Sequence, residues 1–135
     1  MPGGFFDTNI VLYLASGDAA KTSRVREMLV ASRGWISVQV LNESTRVLRN
    51  KWRQDWEVTR AFLDQCEAAF TVADVDMKTH KLGLEVAERY KVGIFDSMIV
   101  AAALIAGCDT LYSEDMHHGL LIDGRLRVCN PFLAS

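Results

Sequence analysis

Short apolar runs alternate along this chain with stretches whose apolar positions recur every three or four residues. The first run, Gly3 to Phe6, reads as a strand ending at Asp7, and Ile10 to Leu14 continue as a short helix that stops near Ser16-Gly17. Asp18 can cap a second helix, in which Val25, Met28, Leu29 and Ser32 share a face and Arg33-Gly34 mark the end. Trp35 to Ser37 is a second strand. A helix from Val38 to Trp52 carries Val40, Leu41, Val47 and Leu48 at helical period. Asp55 can cap the next helix, whose buried side is marked by Val58, Phe62, Leu63, Cys66 and Phe70. Phe70 to Val75 is a third strand, and Asp76 caps a helix with Met77, His80, Leu84 and Ala87 on one face. Ile94 to Gly107 is apolar on every side after its first turn, which predicts burial on more than one face, with Gly107 at its end. Thr110 to Tyr112 is a fourth strand, Met116 to Arg125 a loop, and Leu126 to Cys129 a last strand. Strands alternating with helices predict an α/β fold around a central, mainly parallel sheet flanked by helices.

Composition narrows the picture. With 135 residues, half of them apolar, the chain can bury a core as one domain over residues 1–135, and disorder is excluded. A net charge of −2 argues against a surface coated in basic charge for nucleic acid, while leaving room for a local basic patch. Cys66, Cys108 and Cys129 are odd in number and widely spaced, the usage of reduced core thiols in the cytoplasm. Met1-Pro2-Gly3-Gly4 has no basic leader pattern, and the longest uncharged run, Ser97 to Cys108, is too short to span a bilayer. A soluble, cytoplasmic protein with no membrane contact is expected.

Four acids share one kind of address. Asp7 follows the first strand, Glu43 lies early in the helix after the second, Asp96 opens the most buried helix, and Asp115 follows the fourth strand. In a parallel sheet all four can meet at the carboxyl edge, where open α/β sheets keep their ligand sites. Two carboxylates 4 Å apart repel by about 4 kcal/mol at an effective dielectric of about 20, and a divalent cation relieves this. Oxygen ligands without Cys or His favour Mg²⁺, or Mn²⁺, over Zn²⁺. Such a site suits phosphodiester hydrolysis, with the metal activating water and stabilising charge on the phosphate and leaving oxygen. Taken singly, each acid has a plainer reading: Asp7 and Asp96 as helix caps, Glu43 as the partner of Arg46 on a helix surface, Asp115 as a solvated loop acid beside Glu114.

The segments Phe6-Asp7-Thr8-Asn9-Ile10-Val11-Leu12-Tyr13, Ser37 to Glu43, Ile94 to Leu104, Thr110 to Met116 and the closing Val128-Cys129-Asn130-Pro131-Phe132 resemble PIN-domain ribonucleases. Within that superfamily the chain is similar to the toxin subunit of bacterial VapBC toxin–antitoxin pairs, over nearly its whole length. The resemblance implies a PIN-like fold and a Mg²⁺-dependent endoribonuclease; with the metal offsetting charge on a departing 3′ oxygen, 5′-phosphate and 3′-hydroxyl ends are expected. It implies Asp7, Glu43, Asp96 and Asp115 as the catalytic, metal-holding acids, Asp7 and Asp96 most directly, with Asn9 and Ser113 in support. It also implies a VapB-type antitoxin partner and a homodimer. A PIN nuclease of RNA processing without an antitoxin is the alternative within the superfamily. Outside it stand a receiver-like Mg²⁺-binding regulatory module and an aspartyl-nucleophile phosphotransferase, the latter disfavoured by Asn9 where a second Asp is wanted.

Arg46, Arg49 and Arg53 fall at spacings of three and four, on one helix face in line with Glu43, and are candidates for phosphate binding; a solvated helix face is the alternative. Lys51 points elsewhere on that helix. Trp52 and Trp56 can stack on bases, although packing is the commoner role of such residues. His80 reads as a partly buried structural histidine, and His117-His118 as a surface loop.

Overall fold

In the computed structural model, residues 3–133 are described; Met1 and Pro2 of the leader reading, and the last two residues of the expected domain, lie outside them. Strands β1 (Gly4–Phe6), β2 (Gly34–Ser37), β3 (Phe70–Ala73), β4 (Thr110–Tyr112), β5 (Leu121–Ile122) and β6 (Leu126–Cys129) form a single sheet. Its order is β3-β2-β1-β4-β6-β5, parallel throughout except where β5 runs antiparallel to β6. Helices α1 (Thr8–Val11), α2 (Ala19–Ala31), α3 (Val38–Arg46), α4 (Trp56–Ala69), α5 (Met77–Tyr90) and α6 (Ile94–Ile105) connect and cover it. A receiver-type sheet keeps its first strand between the second and third. Here β1 lies between β2 and β4, which sets that alternative aside.

This order decides where a site can form. From β1 the chain builds outward through β2 and β3, then returns to the other side of β1 with β4. The connections leaving β1 and β4 therefore diverge, and a crevice opens at their carboxyl ends. The register pairs Phe6 with Tyr112, so Asp7 and Ser113 emerge side by side. One core runs beneath them: Phe5, Ile10, Val11, Ile36, Val40, Ile99, Val100, Leu111 and Val128 have no solvent exposure. The helix read as apolar all round, α6, is buried from Ser97 to Leu104. Ala106 closes it and Gly107, at φ +78°, takes the left-handed turn that lets the chain re-enter the sheet.

Several local expectations are corrected. Gly34 does not end α2, which closes at Ser32; it opens β2, where a side chain would strike the Phe6 ring (2.6 Å). The third strand stops at Ala73 rather than Val75, and β5 lies within the stretch read as loop. In α4, Val58 is exposed and Thr59 buried, with its hydroxyl on the Asp55 carbonyl. The largest correction concerns α5. Its buried face is Thr79, Gly83 and Val86, while Met77, His80 and Leu84 face solvent. The reason is steric. At Gly83 a Cβ would lie 2.6 Å from the Met98 methyl, so α5 presses its small residues onto α6. A hydropathy pattern does not register that close approach.

Cys66 and Cys108 are buried, Cys129 is half-buried, and all three thiols are free. Among the described residues no helix is long and apolar enough to cross a membrane.

Candidate active site

Asp7 sits where β1 hands over to α1. It caps α1, with Oδ1 accepting the Thr8 N–H at 2.7 Å. Its other oxygen accepts the Ser113 hydroxyl at 2.7 Å, and the Asn9 amide nitrogen lies 3.4 Å away. The residue is 2% exposed. Burial pushes its pKa up to about 7; the Ser113 and Thr8 hydrogen bonds oppose that shift, and the charges of Asp96 and Glu43 add to it. The helix-cap reading and the site reading of Asp7 thus hold together, because one carboxylate oxygen caps and the other faces β4.

Ser113 does more than hold Asp7. Fully buried after β4, its oxygen also accepts the N–H groups of Asp115 (3.2 Å) and Met116 (3.3 Å). Asn9 completes the brace, its side-chain oxygen accepting the Glu114 N–H at 3.3 Å. Across the crevice, α3 presents Glu43. One of its oxygens accepts the Thr8 hydroxyl and the other the Gln39 amide at 3.1 Å, one helical turn back. Thr8 and Gln39 were not singled out in the sequence, although the Gln39–Glu43 spacing was legible there. Asp96, in the first turn of α6, is half-buried; burial raises its pKa, reinforced by the charges of Glu43 and Asp115. Among the described residues no protein donor reaches the carboxylates of Asp96 or Asp115.

These residues line one cleft of about 590 Å³. Asp7, Asn9, Glu43, Asp96, Asp115 and Arg46 are on it, and Ser113 lies directly beneath. Arg49 and Arg53 are not. Arg49 donates to the Gln54 carbonyl at 2.8 Å and stacks on Trp56, and Arg53 sits at φ 54° in a left-handed turn. Lys51 and Trp52 line the cleft instead. Glu114 is drawn to the rim, accepting from the Tyr13 hydroxyl and from Lys21 at 2.8 Å. As the side chains lie, no three Asp, Glu, His or Cys among the described residues close around a common point tightly enough to hold an ion. The donor set is all carboxylate oxygen, and two of its members have their lone pairs free. That chemistry fits a hard divalent cation, with rotation of the unheld Asp96 and Asp115 carboxylates needed to gather the ligands.

An α/β protein with an acidic cleft at the switch point of its sheet is the class these features define. The PIN domain profile matches residues 4–118, and the chain belongs to that family. A sequence search of the curated proteins finds no match. Among solved structures, the chain is similar to one in a toxin–antitoxin complex from Klebsiella pneumoniae, at 22% identity and TM-score 0.70, covering 96% of this chain and 98% of that one. It is similar to a chain of DNA-bound VapBC from Salmonella typhimurium at 20% identity and TM-score 0.72, covering 95% and 97%. A third is VapC20 of Mycobacterium tuberculosis, a toxin that cleaves the sarcin-ricin loop, at 16% identity and TM-score 0.69, covering 84% and 90%.

Proposed function

We propose that this chain is a Mg²⁺- or Mn²⁺-dependent endoribonuclease and the toxin of a toxin–antitoxin pair. The observation that carries the reading is the convergence of Asp7, Glu43, Asp96 and Asp115 on one cleft in a PIN-domain chain. A bound divalent cation would supply positive charge against the scissile phosphate and departing oxygen and make water a better nucleophile.

The chain's own residues prepare that chemistry. Asp7 and Asp96 are the principal ligands, and Glu43 and Asp115 complete the acidic pocket. Ser113 and the Thr8 N–H fix the Asp7 plane, so this carboxylate needs no reorientation when a cation arrives. Thr8 and Gln39 hold Glu43 from both sides. Asn9 keeps the loop after β4 against α1, which sets where Asp115 stands. Without a cation these charges repel a phosphodiester, so metal binding and RNA binding are coupled.

The resemblance to toxin chains supports an antitoxin partner. Exposed Met77, Leu84, Ile94 and Phe95 on α5 and α6 support a homodimer. The reading is tested by incubating purified protein with total cellular RNA and Mg²⁺ or Mn²⁺, beside EDTA and an Asp96→Asn variant, and sequencing the cut ends. Discrete metal-dependent cuts with 5′-phosphate and 3′-hydroxyl ends, absent in the variant, are expected. Equal cleavage by the variant, or none by the wild type, rejects it.

A further inference from the structure

After Arg46 the third helix changes its winding. Val47–Lys51 is a π-turn, and the Trp52 N–H donates to the Val47 carbonyl, five residues back, at 2.9 Å. The Gln54 N–H reaches the Leu48 carbonyl at 2.8 Å, and Arg53 then leaves in a left-handed conformation. In an α-helix, residues five apart point about 140° away from each other, so Lys51 would face away from Arg46. The wider turn swings it back. Arg46, Lys51 and Trp52 all line the acidic cleft, while the arginines that an α-helix would align with Arg46 are carried off it. Single π-turns of this kind occur frequently at functional sites.

We propose that this turn builds the strand-binding wall of the cleft: Arg46 and Lys51 take successive phosphates of one unpaired RNA strand, and Trp52 stacks on a base. The wall rests on the nuclease reading and extends it to a substrate form and to named contacts. Arg46 and Lys51 are exposed, and among the described residues no carboxylate pairs with either, so both charges face the cleft without a counter-ion there. Trp52 is half-buried, packed on the core by one side with the other on the cleft. A cationic pair beside an aromatic face is the standard grip on a single strand. It also brings positive charge to the α3 side of a cleft whose β1 and β4 side is acidic. A duplex keeps its bases stacked on each other and offers Trp52 nothing.

The test uses binding, which needs no cleavage. A labelled single-stranded RNA decamer is titrated against the full chain carrying Asp96→Asn, with Mg²⁺, at several salt concentrations. Lys51→Ala and Arg46→Ala are each expected to weaken binding several-fold. Each should also lower the slope of log affinity against log salt by about 0.7. Trp52→Leu weakens binding about five- to a hundredfold without changing that slope, and Trp52→Phe recovers part of the loss. Arg53→Ala leaves binding unchanged, and the matching duplex binds more weakly than the single strand. Because Trp52 touches the core, its emission is followed as well, in a background carrying Trp35→Phe and Trp56→Phe, where RNA should quench it. Wild-type binding by the Lys51→Ala protein, an unquenched Trp52, or an equally bound duplex overturns the wall. Metal-dependent cutting that persists alongside such a result leaves the nuclease reading standing. Intact binding with no metal-dependent cutting by the wild-type chain does the reverse.

Discussion

At the scale of single residues the decisive group is the Asp7 carboxyl. Held at 2% exposure and surrounded by other acids, it resists ionisation, and burial is the main reason. Its pKa in the folded chain lies above that of the unfolded chain, so the folded state binds the proton more tightly. The stability this contributes is present below the ordinary value of 3.8 and is lost as pH rises through about 7. In EDTA, melting temperature should therefore fall across that window. Asp7→Asn should flatten the fall, gaining on the order of 2 kcal/mol over the wild type at pH 8, and melts across pH measure both. The gain is limited because Asn cannot accept from both Ser113 and Thr8. The four acids were legible from their places after strands and at helix starts, and Asn9 and Ser113 only through the resemblance. Thr8, Gln39 and Lys21 were not, because nothing in a hydroxyl, an amide or a surface lysine announces which carboxylate it will hold.

Among the elements, helix α5 depends on how closely it meets α6. Gly83→Val places methyl groups where the Met98 side chain already lies and should cost about 1–3 kcal/mol in chemical denaturation. Gly83→Ala should cost far less. Only the mobile end of Met98 must shift, and Ala favours a helix over Gly by about 1 kcal/mol. The sequence located every helix and five strands because their periods and caps are local properties; Asp18, Asp55 and Asp76 all cap as expected. It missed the buried face of α5, the two-residue β5 and the π-turn. The first is set by Met98 on the next helix, while β5, a two-residue arm of a hairpin with β6, and the π-turn are too short to show a period of their own.

On the scale of the whole molecule, the order of the sheet makes the cleft, and the α5–α6 side carries the apolar surface. Met77 is 64% exposed and Phe95 63%, and both line one surface hollow together with Ile94. Met77→Lys is expected to shift the protein from dimer to monomer in light scattering at micromolar concentration. A wild-type monomer, or an unaffected dimer, refutes that role. The parallel sheet and the helices around it followed from the alternation of runs alone. Which strand would neighbour β1, and so where the crevice would open, did not.

The π-turn carries a consequence of another kind. Most binding surfaces are tuned by exchanging one side chain for another. Here the number of residues in the turn is itself a variable. Winding the same residues as an ordinary helix would re-index every side chain after Arg46 relative to the cleft. Arg49 and Arg53 would come round and Lys51 would go, with the four acids untouched. The winding of one helix, at one point, can decide what a fixed set of carboxylates is given to act on.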